Sequence, residues 1–326
     1  MDDIWLNLKA KLQHFRETRD VGGILEKFGI LFGYILLVIV ATILSPRFLT
    51  SVNLLNVARQ ISIFGIIAIG QTFVILTGGI DLSVGSILAL VVVLVGGILP
   101  DYGILAAILV GLTVGAILGT INGLGITVGN VQPFVMTLGM LGIARGIAYI
   151  YTGGMPIPVL DKSFLFIGNG YFLGVPVPAI IFIVLVLLAA FLLRYTVFGR
   201  YVYSIGSNAE AARLSGINVG LNKTLVYTLC GLTCGVAGIL YASQLAVAPP
   251  IAGEGYELDA IAAVVVGGAS MNGGEGGMFG TFLGAAIIGS LSNILNLTGV
   301  SPFVQRFAKG LLIIAAVIIK ARGRKH

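Results

Sequence analysis

The sequence predicts an all-α protein, a polytopic transmembrane helical bundle of about ten spans with both termini cytoplasmic. Three observations lead there. Of the 326 residues 57% are hydrophobic and 10% charged, with a mean hydropathy of +1.06, whereas a soluble domain carries about 25% charged residues. The apolar residues are gathered into runs approaching the ~20 residues that cross a bilayer. The basic residues form three clusters that ten crossings bring to one side.

In chain order, residues 1–27 read as a cytoplasmic, interfacial helix. Trp5, Leu8, Leu12 and Phe15 share one face, and Lys9, Lys11, Arg16 and Arg19 reach phospholipid headgroups. A transmembrane domain over 28–320 follows. Its spans are Phe28–Leu44, Ile61–Gly78, Val84–Leu99, Gly103–Val128, Pro133–Tyr151, Val177–Val197, Thr224–Leu245, Leu258–Ala269, Met278–Leu297 and Phe303–Ile319. Pro46 and Pro100 mark two of the breaks between spans. The eighth span is too short to cross straight, so it pairs with the ninth or is a broken helix. Residues 321–326 are a basic cytoplasmic tail.

Charge orients the bundle. Lys9, Lys11, Arg16, Arg19 and Lys27 precede the first span. Arg194, Arg200, Arg213 and Lys223 flank the loop 199–223, and Lys320, Arg322, Arg324 and Lys325 follow the tenth span. An even count puts all three clusters on the cytoplasmic face. Basic flanks of spans account for the net charge of +6 better than nucleic-acid binding does.

The loop 199–223 is the longest hydrophilic interruption in the apolar part of the chain. Within it Ser207 suits an N-cap, with Glu210 at capping-box spacing. Asn208–Ser215 reads as two helical turns, and Gly216 suits the left-handed position after a helix. Such a helix cannot span, so it docks on something.

Glycine, at 47 residues, is about twice its usual ~7% share. Gly111, Gly115, Gly119 and Gly123 form an i, i+4 stripe for close helix contact. Gly276, Gly280 and Gly284 repeat it, and Gly231 and Gly235 supply a shorter version. The stretches 76–90 and 265–285 resemble one another, each with an apolar run, Gly-Gly and a polar turn. Cys230 and Cys234 lie one turn apart in an apolar run and read as buried, inert thiols. The histidines are His14 and His326, so no metal site is expected. No Gly-Lys dipeptide occurs, which excludes a P-loop nucleotide site in this chain.

Several strings carry a family resemblance: ILTGGIDLSVGS (75–86), RLSGINV (213–219), YTLCGL (227–232) and GYELDAIAAVVVGG (255–268). Together, in this order, they resemble the permease subunit of ribose-type (monosaccharide) ABC importers, over nearly the whole chain from Leu44 onward. The resemblance implies a non-enzymatic subunit in the bacterial inner membrane that passes a monosaccharide. It implies a cytoplasmic ABC ATPase holding ATP-Mg, a periplasmic sugar-binding protein and a second permease copy, the same or a sister chain. This chain is then expected to bind no cofactor. Glu210-Ala211-Ala212 followed by Gly216 is similar to the coupling-loop signature of other ABC importers, without its downstream Leu-Pro. Ser207, Asn208, Glu210, Ala211, Ala212, Arg213, Ser215 and Gly216 are the expected ATPase contact, with the small alanines letting a partner groove close around the helix.

Asp81 and Arg145 are ionisable groups at membrane depth. Asp81 either caps the third span or takes part in gating. Arg145 pairs with a buried carbonyl or carboxylate, or meets the sugar. Glu254, Glu257 and Asp259 are either solvated acids or a docking patch for the binding protein. Gln71, Thr72, Asn122, Thr137, Asn293 and Asn296 are the in-span polar candidates for a sugar path, each with the alternative of bonding a neighbouring helix. An ion-coupled secondary transporter would want more ionisable groups near the midplane than Asp81, Arg145 and Lys309. A membrane enzyme would want a His, Cys or carboxylate constellation on neighbouring spans.

Overall fold

The computed structural model describes residues 21–311, with side chains from residue 29 onward. Most of the expected segment 1–27, the second half of the tenth span and the tail 321–326 lie outside the described residues. The described elements are α1 (Val21–Leu44), α2 (Ser51–Leu76), α3 (Val84–Thr127), α4 (Pro133–Thr152), α5 (Lys162–Asn169), α6 (Val177–Tyr195), α7 (Val197–Ser207), α8 (Ala209–Leu214), α9 (Val219–Leu245), α10 (Tyr256–Val266) and α11 (Met278–Leu297). Strand pairs β1 (Ile157–Pro158) with β4 (Val247–Ala248), and β2 (Tyr171–Phe172) with β3 (Val175–Pro176), are two residues long and antiparallel. A last helical stretch covers 302–311. Six of these helices are long and apolar enough to cross a membrane.

α3 is one helix by hydrogen bonding and two by shape. Its 44 residues would measure about 66 Å, twice a bilayer core of about 30 Å. Gly103, at φ 78° and ψ 178°, folds it back three residues after Pro100. The arms run antiparallel, so Asn122 Nδ2 near one end donates to Ser83 Oγ beside the other at 2.9 Å. The expected break between the third and fourth spans is therefore present as a tight corner.

α9 runs through the centre, against α3 and α2. The glycine stripe makes that packing possible. A Cβ on Gly115 would strike the Gly231 carbonyl, and one on Gly119 the Tyr227 carbonyl. One on Gly123 would lie 2.6 Å from Thr224 Cα. Hydroxyl pairs flank the stripe, Thr120 with Thr228 at 2.8 Å and Thr127 with Thr224 at 3.0 Å. The second stripe behaves alike: Gly280 abuts the Gly267 carbonyl and Gly284 the Ala263 carbonyl, seating α11 on α10. Small residues let backbones approach where lipid offers no hydrophobic drive between helices.

The segment expected as the eighth span is a loop followed by a short helix. At the end of the bundle where Gly103 lies, β4 pairs with β1 beside Gly96. From there residues 249–255 descend without helix until Gly253 reaches Gly85. α10 then starts where Tyr256 meets Phe64, the middle residue of α2, with ring centroids 6.4 Å apart. Its eleven residues cover about 16 Å, half a bilayer core. Non-helical backbone at membrane depth survives only inside protein. Arg145 provides for it, donating to the carbonyls of Pro250 at 2.7 Å and Ala252 at 2.8 Å. Buried carbonyls, and not a carboxylate, are its hydrogen-bond partners.

Three helix starts precede the expected ones by a turn or more. α1 is helical from Val21, not Phe28, so the expected boundary at 27 falls inside one helix; α2 begins at Ser51, not near Ile61, and α9 at Val219, not Thr224. Hydropathy hides the extra turns because they carry polar residues. Asn53 on the first turn of α2 exchanges amide bonds with Asn293 on α11, both 2.9 Å. Asn218 caps α9 by accepting from Leu221 N–H at 2.9 Å.

Candidate functional site

Between α6 and α9 the chain leaves the bundle and builds α7 and α8. Thr196 caps α7, its hydroxyl accepting from Gly199 N–H at 3.2 Å. Phe198, Val202 and Ile205 recur at helical spacing; the last two are buried, and Phe198 stacks on Phe73 of α2 at 6.0 Å. That apolar stripe was legible inside the hydrophilic loop, but the loop's polarity masked it, so α7 was not anticipated.

The capping of α8 corrects one expectation. Ser207 is the last residue of α7 and not the N-cap. Asn208 caps α8, its Oδ1 accepting from Ala211 N–H at 2.9 Å. No capping box forms, because Glu210 turns to Arg213 instead, at 2.6 Å. That pair stands two-thirds exposed, so it adds little to stability; the guanidinium holds the Glu210 carboxyl below its ordinary range. The end matches expectation. Gly216 takes φ 84°, its N–H donating to Arg213 and that of Ile217 to Ala212, the two bonds of a left-handed helix cap. Ser215 is the C-cap residue, and its hydroxyl bonds the Ala211 carbonyl.

Ala212 is 5% exposed, covered largely by its own chain. A large side chain there would lift α8 off the bundle. Ala211 and Leu214 face outward, Leu214 with 77% of its surface exposed.

α7 and the two similar glycine-rich turns meet at one place. Gly274 N–H donates to the Leu76 carbonyl at 3.0 Å, joining the turn after α2 to the turn before α11. Gly206 of α7 sits against both partners of that bond, and Tyr203 Oη donates to the Gly276 carbonyl at 2.8 Å. The α7–α8 unit is thus held against the turn that joins α2 to α3 and the turn that joins α10 to α11. A groove along it is lined by Tyr203, Ser207, Asn208, Ala211, Ala212 and Ser215, among others.

A buried polar knot stands one step deeper. The Asp81 carboxylate accepts from Ser83 N–H at 2.8 Å and Ser83 Oγ at 2.5 Å, beside the start of α3. Asn122 Nδ2 approaches its other oxygen at 3.5 Å. With its amide turned to match, Gln71 donates to the Asp81 carbonyl at 3.2 Å and accepts from its N–H at 3.1 Å. The N-cap of α3 is Ser83, so Asp81 does not cap the helix as expected but holds that N-cap residue in an Asx turn. The other polar in-span residues also bond their own chain. Thr72 meets Thr281 at 2.7 Å, Thr137 donates to the carbonyls of Ile80 and Pro133, and Asn296 accepts from Gln305 at 2.8 Å. The acids are engaged as well: Glu254 with Arg306 at 3.4 Å, Asp259 with Lys309 at 2.9 Å, and Glu257 with Gly255 N–H at 3.3 Å. Cys230 and Cys234 are buried and unbridged. No group of three metal-ligating side chains occurs among the described residues.

Residues 53–317 match the family described as branched-chain amino acid transport system / permease component. The chain belongs to that family. This permease is 50% identical over 312 residues to the ribose import permease protein RbsC of Bacillus subtilis, covering 95% of this chain and 97% of that one. It is 45% identical to RbsC of Escherichia coli K12, over 89% and 92% of the two chains. To the L-arabinose transport system permease protein AraH of Escherichia coli K12 it is 35% identical, over 91% of each. No solved structure matches the permease.

Proposed function

We propose that this chain is the membrane-spanning subunit of a bacterial inner-membrane ABC importer for a monosaccharide, with ribose the first candidate. It works with a separate ATPase, which holds ATP-Mg, and with a periplasmic binding protein, and itself binds no cofactor. The observation that carries this is the α7–α8 unit. It is capped at both ends and held against the two glycine-rich turns, yet it offers Ala211, Leu214 and the Glu210–Arg213 pair outward. A chain without a P-loop needs such a surface to receive motion from a partner. Identity to ribose and arabinose permeases over nearly the whole length supports the substrate class.

Leu214→Asp tests the ATPase contact. It puts a charge on an exposed apolar position without touching the fold. We expect co-purified ATPase and ribose uptake to fall about tenfold or more, the equivalent of about 1.4 kcal/mol, at unchanged thermal stability. Full retention of the ATPase would move the contact elsewhere. An ion-coupled transporter would also take up sugar without any ATPase.

The same reading includes ten crossings, with both termini and the 199–223 loop cytoplasmic. The corner at Gly103, the loop and short helix at the expected eighth span and the 302–311 helix returning from α11 support an even count. A reporter active only in the cytoplasm should work both when inserted near Asn208 and when fused after His326. Silence at His326 alone would make the count odd.

A second copy completes the transporter. The open side of α4 supports that reading: α4 touches α3, and at Gly139, Gly142 and Gly146 no atom lies within 4 Å of an added Cβ.

A further inference from the structure

One charged surface is left over. Glu254, Glu257, Leu258, Asp259, Arg306 and Lys309 line a pocket of about 260 Å³ between α10 and the 302–311 helix. Its place in the bundle is unusual. Tyr256 stands at the middle of α2, and Asp259 lies one turn farther along α10, away from the Gly103 end. The lining residues of α10 therefore stand at about mid-depth. The Glu254 and Arg306 side chains are 50% and 69% exposed there, and the Asp259–Lys309 pair is partly exposed.

Charged groups at such depth do not face lipid; they face protein or a water-filled cavity. The core of a protein seam is depleted in charge, which favours water. Both signs are present. Three carboxylates line the pocket together with Arg306 and Lys309, and Arg145 stands outside it, holding the adjoining loop at Pro250 and Ala252. Carboxylates that accept and cations that donate, set side by side, suit a neutral solute whose hydroxyls do both.

We propose that this pocket is a water-filled stretch of the sugar's passage, open toward the binding protein and reaching the middle of the membrane. The proposal rests on the sugar-permease reading above. It moves the path away from Gln71, Thr72, Asn122, Thr137 and Asn293, which are buried, and from Asn296. It also makes Glu254, Glu257 and Asp259 lining groups rather than a docking patch.

The test uses the full transporter, with ATPase and binding protein, in vesicles. Glu254→Cys and Leu258→Cys are exposed to a charged, membrane-impermeant thiol reagent from the binding-protein side. Wild type is the background, because Cys230 and Cys234 are fully buried. Both variants should react within about tenfold of Leu173→Cys on the exposed β2–β3 turn, and modification should block ribose uptake. Asp259→Asn should lower ribose uptake about tenfold while stimulation of ATP hydrolysis by loaded binding protein persists. Unreactive cysteines in variants that transport normally would overturn the proposal, since the pocket would then be sealed. Modification without loss of uptake would overturn it too, leaving the pocket wet but off the path. Wild-type protein that moves no sugar would instead overturn the sugar-permease reading, and the inference with it.

Discussion

Gly206→Leu should uncouple the transporter while leaving its spans in place. Gly206 stands against the Leu76 carbonyl and the Gly274 N–H, which bond each other at 3.0 Å. A Cβ there already overlaps both, and those neighbours are backbone, not flexible side-chain tips. Any side chain must push α7 away from the two turns. The expected result is membrane insertion at normal levels, a retained ATPase and loss of the link between them. Coupling free energies of about 1–3 kcal/mol correspond to about 5–150-fold effects. Stimulation of ATP hydrolysis by loaded binding protein, and ribose uptake, should fall within that range in reconstituted vesicles. Tyr203→Phe, which removes only the bond to the Gly276 carbonyl, should show a weaker version of the same defect. Wild-type uptake by Gly206→Leu would mean that the α7–turn contact carries no motion.

Gly119→Leu should fail earlier, at folding. Its Cβ would strike the Tyr227 carbonyl and lie 3.1 Å from Gly231 Cα, with α9 unable to yield because α2 backs it. Overpacking a tight contact costs about 1–3 kcal/mol, and here two helix backbones must separate. The amount of folded, detergent-stable protein should drop, with a lower thermal midpoint. Gly115→Leu, facing the Gly231 carbonyl, should behave alike. Gly33→Leu on α1, where nothing lies within 4 Å, is the control and should be near wild type. Equal stability of Gly119→Leu and Gly33→Leu would mean that the stripe does not hold α3 against α9.

Much of the bundle was legible because lipid imposes simple rules on a chain. Apolar runs located the six helices long enough to cross a membrane, and a stripe of glycines every fourth residue announced a close contact that α3 and α9 do make. Arg145 was read as a group needing buried partners, and it found carbonyls. Where expectation failed, the failure was local. Ser207 and Asn208 are both good caps, and spacing alone favoured the wrong one. The polar first turns of α2 and α9 fell below any hydropathy threshold, although their asparagines bond other helices or cap the turn. The stripe Phe198, Val202, Ile205 in α7 was present in the sequence but was read as loop.

By itself the sequence determined the class of protein, the absence of a P-loop motif, the family resemblance and the loop that leaves the bundle, because composition, motif and run length are properties of the chain alone. Only the tertiary structure decided what those parts touch. It turned Ala212 inward, brought two distant glycine-rich turns to Gly206, sank Tyr256 to the middle of α2 and set Lys309 against Asp259, fifty residues away. Such contacts join residues far apart in sequence, and which pair forms depends on packing in three dimensions, which no local spacing encodes.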